Sequence, residues 1–194
     1  MDLSIAVIVL TIVFGMPGGV LYTMSLPPMY LVVLFSIAFV AVMLSIFPHE
    51  LAHKFLAQRY GYWSEFRRYD MGLILGLVLS LSGFPVIAAP GAVMIAGPVT
   101  TETNGKISAV GPGTNALMGA LLFPVALLAP STSILSYLAA EIVWVNVALG
   151  VFNMIPFGIF DGSKIWKWSA AAYLGLLAVL LALGAAVFLS GILF

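Results

Sequence analysis

The feature that most constrains the fold of this chain is a succession of apolar segments, each about as long as one bilayer crossing. A helix needs roughly 20 mostly apolar residues to cross the hydrocarbon core of a membrane. Such segments lie at about residues 3–22, 29–58, 111–129, 134–156 and 168–194. The pattern predicts an all-α polytopic membrane protein with five or six transmembrane helices. We expect a single domain over residues 1–194, with core spans at about 29–58, 111–129 and 134–162.

The composition supports this class of protein and excludes several others. Hydrophobic residues make up 63% of the chain and charged residues 7%, whereas a soluble domain is about 45–50% apolar and about 25% charged. Seven basic residues balance seven acidic ones, so there is no net charge to attract nucleic acid. The chain has no cysteine, which excludes disulfides and thiolate metal sites. Residues 3–22 lack a preceding cationic region and a cleavage site, so we expect a retained span, interrupted at Met16-Pro17-Gly18-Gly19.

The Lys and Arg residues give the segments a direction, because these residues collect on the cytoplasmic side of membrane proteins. They crowd the end of the segment at 29–58, precede the one at 111–129 and separate the last two. They are Lys54, Arg59, Arg67, Arg68, Lys106, Lys164 and Lys167. We therefore expect a multi-pass protein of a prokaryotic plasma membrane, with its N-terminus in the cytoplasm and its C-terminus outside.

A further apolar stretch, residues 71–89, lies between two loops that these charges place on the same side. It is therefore predicted to enter the membrane and leave by the same face, as a re-entrant segment. Its residues Ser80, Ser82, Gly83 and Pro85 suit an irregular element, which is tolerated at membrane depth where protein or water covers it. The alternative is a sixth full span that breaks the charge rule once.

Residues 90–110 are predicted to be non-helical. Two short stretches with β-branched residues, 92–96 and 106–110, flank Asn104-Gly105, a pair suited to the positive φ angles of a type I′ turn. This pattern predicts a small β-hairpin or a pair of short strands at the membrane face. The alternative is an ordinary hydrophilic loop.

Both histidines of the chain lie in the sequence His49-Glu50-Leu51-Ala52-His53. The spacing places the two imidazoles one turn apart on one face of a helix, where they can share a Zn²⁺ ion. Glu50 can act as a general base toward water at the metal. Ionisable residues inside an apolar span are functional by default. The alternative is a hydrogen-bonded polar cluster, or a cap on the cytoplasmic end of the helix.

A catalytic zinc site usually has three protein ligands and one open position. Because no other histidine and no cysteine exists, the third ligand must be a carboxylate. The acidic candidates are Asp2, Glu65, Asp70, Glu102, Glu141 and Asp161. Asp161 lies at the cytoplasmic end of the segment at 134–156, at the depth of the two histidines, whereas Glu141 lies nearer the outer half. Depth therefore selects Asp161, and the role of Glu141 stays open.

Three motifs occur in a recognisable order. They are HELAH at 49–53, AVGPGTN at 109–115 and N-x-x-P-x-x-x-x-D-G at 153–162. Together they resemble the site-2 protease family of intramembrane zinc metalloproteases, in a compact form without a PDZ-like or nucleotide-sensing domain. The resemblance implies that His49, His53 and Asp161 bind one Zn²⁺ per chain and that Glu50 is the catalytic base. It also implies that Asn153 orients the substrate near the metal.

A substrate helix hides its carbonyl groups in hydrogen bonds and must unwind before hydrolysis. An exposed strand edge can bind the unwound segment, and the resemblance assigns this role to Ala92, Val93, Met94, Ile95 and Ala96. We therefore expect an intramembrane zinc endopeptidase that cuts transmembrane proteins near the cytoplasmic face, as in regulated intramembrane proteolysis. Its expected partners are these substrates and membrane lipid, and not nucleic acid. The alternatives are a membrane metal transporter or metal-sensing protein, and an inactive protease-like scaffold.

Overall fold

The computed structural model describes residues 2–16, 18–83 and 91–192. Within these ranges the chain forms helices and a small two-stranded sheet. In chain order the elements are α1 (Asp2–Phe14), α2 (Gly19–Met24), α3 (Pro28–Arg59), β1 (Trp63–Arg68), α4 (Asp70–Leu81), β2 (Gly91–Ala96), α5 (Thr101–Leu128), α6 (Ile134–Asn153), α7 (Asp161–Trp168) and α8 (Ala170–Ser190).

Four of the described helices, α3, α5, α6 and α8, are long and apolar enough to cross a bilayer. Helices α3, α6 and α8 match the predicted segments at 29–58, 134–156 and 168–194. Helix α5 contains the segment predicted at 111–129, but it begins at residue 101. The structure is thus mostly helical with several candidate membrane spans, as the hydropathy predicts.

The first apolar segment, residues 3–22, is divided between α1 and α2. Gly18 and Gly19 have φ angles of 77° and 87°, in the left-handed region that favours glycine. A Cβ atom on Gly19 would lie 2.8 Å from the backbone nitrogen of Gly83. The two glycines lie where α2 begins, after the break, and let the end of α4 pack closely against it. Pro17, which belongs to the predicted interruption, lies outside the described residues.

The predicted hairpin at 90–110 is wrong in its pairing. Strand β2 forms as expected, but its antiparallel partner is β1, with Trp63 opposite Ala96 and Arg68 opposite Gly91. Residues 101–110 are the first turns of α5. Pro90, the first residue of the predicted stretch, lies outside the described residues.

Two local features explain why Asn104-Gly105 lies in a helix and not in a turn. The hydroxyl of Thr100 accepts a hydrogen bond from the backbone nitrogen of Thr103, and the side chain of Thr103 bonds back to Thr100, so this pair caps the start of α5. A Cβ atom on Gly105 would collide with the side chain of Trp168. The glycine is therefore required for close packing of α5 against α7.

Helix α4 covers the first part of the stretch predicted to be re-entrant. It has 12 residues, which corresponds to about 18 Å at about 1.5 Å per residue. The hydrocarbon core is about 30 Å thick, so this helix alone does not cross it. Residues 84–90, including Pro85 and the end of the predicted stretch, lie outside the described residues.

Helices α3, α5 and α6 pack together at the centre. Helix α1 packs against α3, α4 packs against α1, and α8 covers α5 and α6. Small residues allow close approach, as is usual for helices in membranes. For example, a Cβ atom on Gly150 would lie 2.6 Å from the side chain of Leu180. This packing brings the last turns of α3 beside the first turns of α5.

Candidate metal centre

The last third of α3 supplies His49 and His53. The helix continues through Pro48, and the four-residue spacing puts both imidazoles on one face, as the sequence predicts. Both side chains are buried, and their Nε2 atoms lie 3.1 Å apart. Two ring nitrogens therefore point at the same small volume inside the protein.

Asp161 is the first residue of the short helix α7, just after α6 and an intervening turn. Its Oδ2 atom lies 3.1 Å from His53 Nε2 and 3.4 Å from His49 Nε2. Asp161 is thus a carboxylate that faces both histidines.

The Asp-Gly pair at the start of α7 has a structural explanation. A Cβ atom on Gly162 would collide with the backbone carbonyl groups of Met154 and Ile155. In the turn before it, Gly158 has a φ angle of 68°, which is strained for other residues. The two glycines let the chain fold back tightly after α6, and this fold places Asp161 beside α3.

The three side chains form a set suited to a divalent metal ion. One ligand atom from each of His49, His53 and Asp161 lies within 4.8 Å of the others. Two imidazole nitrogens and one carboxylate oxygen match a common catalytic zinc set, although other divalent ions accept the same donors. A Cβ atom on Gly111 of α5 would collide with both Nε2 atoms. Bare backbone at this position therefore leaves the space that an ion needs, and the residues fit the group.

The other ring nitrogen of each histidine has its own hydrogen-bond acceptor. His49 Nδ1 lies 2.5 Å from Asn115 Oδ1, and His53 Nδ1 donates to the Ile107 carbonyl at 2.7 Å. Such contacts orient metal-binding imidazoles. The sequence motif at 109–115 contains Asn115 but does not reveal this contact. The Ile107 contact is made by a backbone carbonyl, which every residue has, so the sequence does not indicate it.

Glu50 lies beside the three candidate ligands and lines the same cavity. Its side chain is buried, and its Oε2 atom has no hydrogen-bond partner among the described residues. An ionisable group in this position is destabilising for the fold alone, since burial of an unpaired polar atom costs about 1–3 kcal/mol. Glu50 is therefore a candidate for chemistry and not for structure.

The residues predicted to bind substrate divide into two sets. Ala92, Val93 and Ile95 of β2 line the cavity together with Asn153 at the end of α6. The side chains of Met94 and Ala96 are exposed. Strand β1 occupies one edge of β2, and no other described residue pairs with the opposite edge.

Most other acidic candidates lie in salt bridges outside the cavity. Glu65 pairs with Arg67, Asp70 with Arg68 and Glu102 with Lys106. Glu141 lies on α6, well before the end of that helix, and it does not belong to the His-His-Asp group. Lys164 was not among the residues predicted to form the site, yet it lines the cavity. Its Nζ atom lies 3.6 Å from Asp161 Oδ1.

Comparison with known proteins places this chain among metalloproteases. It is 36% identical over 169 residues to a protein of Methanocaldococcus jannaschii that is provisionally named a zinc metalloprotease. The match covers 87% of this chain and 83% of that protein. No family model matches the chain, and no solved structure matches it. Identity of this extent, together with the clustered His49, His53 and Asp161, establishes that the chain belongs to the site-2 protease family of zinc metalloproteases.

Proposed function

We propose that this protein is an intramembrane zinc endopeptidase that hydrolyses peptide bonds of transmembrane proteins near the cytoplasmic face. The observation that carries the proposal is the convergence of His49, His53 and Asp161 in a buried cavity that also contains Glu50. The chain acts as one domain over residues 1–194, with core spans at about 29–58, 111–129 and 134–162.

The three ligands would hold one Zn²⁺ ion per chain. When bound, a zinc ion supplies a Lewis acid that polarises the scissile carbonyl and lowers the pKa of water. Burial of the three side chains keeps them in one geometry and limits competing water. The metal is named zinc because of the family, since the donor set alone suits several divalent ions.

Glu50 is the general base of the proposed reaction. Its carboxylate takes a proton from the attacking water, and a new carbon–oxygen bond forms at the scissile carbonyl. The same carboxyl then gives the proton to the leaving amine as the carbon–nitrogen bond breaks. The unpartnered Oε2 atom of Glu50 supports this role, because it is free to hold that proton.

Substrate is bound as an unwound strand along the free edge of β2. Ala92, Val93 and Ile95 line the metal cavity, so a segment paired with β2 would run past Glu50. A main-chain pairing of this kind recognises backbone and tolerates many sequences. Asn153, at the end of α6 in the same cavity, is proposed to orient the substrate backbone.

We further propose that residues 71–89 enter and leave the membrane on one face. Arg68 and Gly91, which flank this stretch, are opposite each other in the sheet, so the chain leaves the sheet and returns to it at one place. The short length of α4 supports the same reading. Together with the rule that Lys and Arg collect on the cytoplasmic side, this arrangement supports an N-terminus in the cytoplasm and a C-terminus outside the cell membrane.

The alternative functions are less well supported. A transporter needs polar groups along a path across the bilayer, but the clustered ionisable groups described above lie at one end of the helices, apart from Glu141. An inactive scaffold would have no need of the buried Glu50. Neither alternative is favoured by a specific contact in the described residues.

The test is to purify the protein with Glu50 or with Glu50→Gln, and to measure zinc content and cleavage of a transmembrane reporter. We expect about one zinc per chain in both proteins and cleavage only in the parent. Glu102→Gln is the matched control, because this carboxyl is exposed and paired with Lys106. Full activity of Glu50→Gln would refute the role of the base.

A second pair of variants tests the ligand set. Asp161→Ala should lose zinc, whereas Glu141→Ala should keep it, because only Asp161 faces the imidazoles. The opposite result would move the third ligand to Glu141.

A further inference from the structure

A chain of buried polar side chains leads from α6, through α5, to the imidazole of His49. Asn115 and Asn146 are both 0% exposed. A buried amide is destabilising unless its hydrogen bonds are made. Asn146 touches none of the three candidate ligands and takes no part in the chemistry proposed above, so its place in the core requires another explanation.

The orientation of the Asn146 amide is fixed by its own helix. Its Nδ2 atom donates to the Ile142 carbonyl at 2.8 Å and to Ser45 Oγ at 2.7 Å. A carbonyl oxygen can only accept a hydrogen bond, so the amide nitrogen of Asn146 must face Ile142. Its Oδ1 atom must then face α5.

Two acceptors together fix the orientation of Asn115: the side chain of Asn146 and a main-chain carbonyl of α3. Asn115 Nδ2 donates to Asn146 Oδ1 at 2.9 Å and to the Ser45 carbonyl at 3.2 Å. Both partners are acceptors, so the amide nitrogen of Asn115 is held on that side. Its Oδ1 atom is therefore turned toward His49 Nδ1, 2.5 Å away.

We propose that Asn146 is a positioning residue that fixes the tautomer of His49 through Asn115. Because Asn115 Oδ1 can only accept, His49 carries a proton on Nδ1 and presents the lone pair of Nε2. Nε2 is the atom that faces His53 and Asp161. An imidazole binds a metal through an unprotonated nitrogen, so this tautomer is the one competent to bind. The inference rests on the proposed function in so far as the centre binds a metal.

His53 provides an internal comparison. Its Nδ1 donates directly to the backbone carbonyl of Ile107, which no side-chain substitution removes. His53 is thus oriented by the main chain alone, whereas His49 is oriented by Asn115, which Asn146 and the Ser45 carbonyl hold together. A change at Asn146 should affect His49 and leave His53 unchanged.

The test uses the fact that the chain has only two histidines. The protein, purified with a tag that lacks histidine and freed of metal, is labelled with ¹⁵N-histidine, and the ring nitrogens are observed by NMR at alkaline pH. In the parent, the ring of His49 should carry its proton on Nδ1. In Asn146→Leu, the ring of His49 should shift toward the Nε2-protonated form while that of His53 stays the same.

Zinc affinity, measured by competition with a chromophoric chelator, is the second readout. Asn146→Leu should bind zinc roughly 10- to 100-fold more weakly, as is typical when a group that orients a metal ligand is lost. Ser45→Ala is the matched control, since it removes one acceptor of Asn146 but keeps the bond to Ile142, and it should bind zinc like the parent.

The outcomes separate the two claims. Unchanged rings in Asn146→Leu, or equal shifts in Asn146→Leu and Ser45→Ala, would overturn the positioning role. If the Leu variant does not fold, Asn146→Ser, whose side chain is too short to reach Asn115, takes its place with the same expectations. A parent protein that binds no zinc but still shows the His49 shift in the variant would refute the proposed metal centre and leave the positioning role standing.

Discussion

The most informative single substitution is Gly111→Ala, because it places one carbon atom in the middle of the candidate centre. Gly111 belongs to the part of α5 that faces α3. A Cβ atom at this position would collide with Nε2 of both His49 and His53. The two atoms that should bind the metal are therefore the ones that the new methyl group displaces.

Two effects of opposite sign set the expected effect of Gly111→Ala on stability and on zinc affinity. Alanine is favoured over glycine inside a helix by about 0.8–1 kcal/mol. Overpacking of a filled site costs about 1–3 kcal/mol, which is roughly 5- to 150-fold in a binding constant. Because the clash falls on the ligand atoms, we expect its effect in zinc affinity, while the fold itself changes little in stability.

The assay is zinc competition in detergent, together with thermal unfolding of the zinc-free protein. Gly113→Ala is the matched control, because it lies in the same helix and a Cβ atom there would meet nothing within 4 Å. It should raise the unfolding temperature slightly and leave zinc affinity at the parent value. Equal zinc affinity of Gly111→Ala and Gly113→Ala would contradict the close approach of Gly111 to the two imidazoles.

Three further predictions follow from other contacts. Removing the metal with 1,10-phenanthroline should abolish cleavage, and added Zn²⁺ should restore it in the parent but not in Glu50→Gln. Gly162→Ala should destabilise the turn before α7 by about 1–3 kcal/mol and weaken zinc retention, because its Cβ would collide with main-chain carbonyls. Gly175→Ala on α8 is the control, because a Cβ atom there would meet nothing within 4 Å. It should change neither the unfolding temperature nor zinc retention. A photo-crosslinking residue in place of Met94 on β2 should capture a substrate helix, whereas one in place of Trp63 on β1 should not. The two positions are equally accessible, because Met94 is 55% exposed and Trp63 is 56% exposed. Equal capture at both positions would contradict binding along β2.

The part of the site that one helix determines was predictable from the sequence. The spacing of His49 and His53 fixes their common face through helical periodicity alone, and α3 confirms this arrangement. Asp161 could be selected by its depth, because hydropathy also fixes where a span ends. The membrane-protein class followed from the same apolar segments.

The parts that depend on distant contacts were not predictable. Asn104-Gly105 resembles a hairpin turn, but its glycine serves a contact with Trp168, which is far away in the sequence. Strand β1 lies in a polar stretch, and nothing local indicates that it pairs with β2. An asparagine in an apolar helix, such as Asn146, indicates only that its amide needs hydrogen-bond partners. Which residues those are is decided when three helices pack together.

The turn that brings Asp161 to the two histidines also has a consequence for biosynthesis. The two imidazoles lie in the first third of the polypeptide, but the carboxylate that completes their set is translated only after α6. A ribosome therefore releases most of the chain before the centre can assemble. A nascent or truncated protein that stops before α7 therefore holds both imidazoles without the carboxylate that faces them.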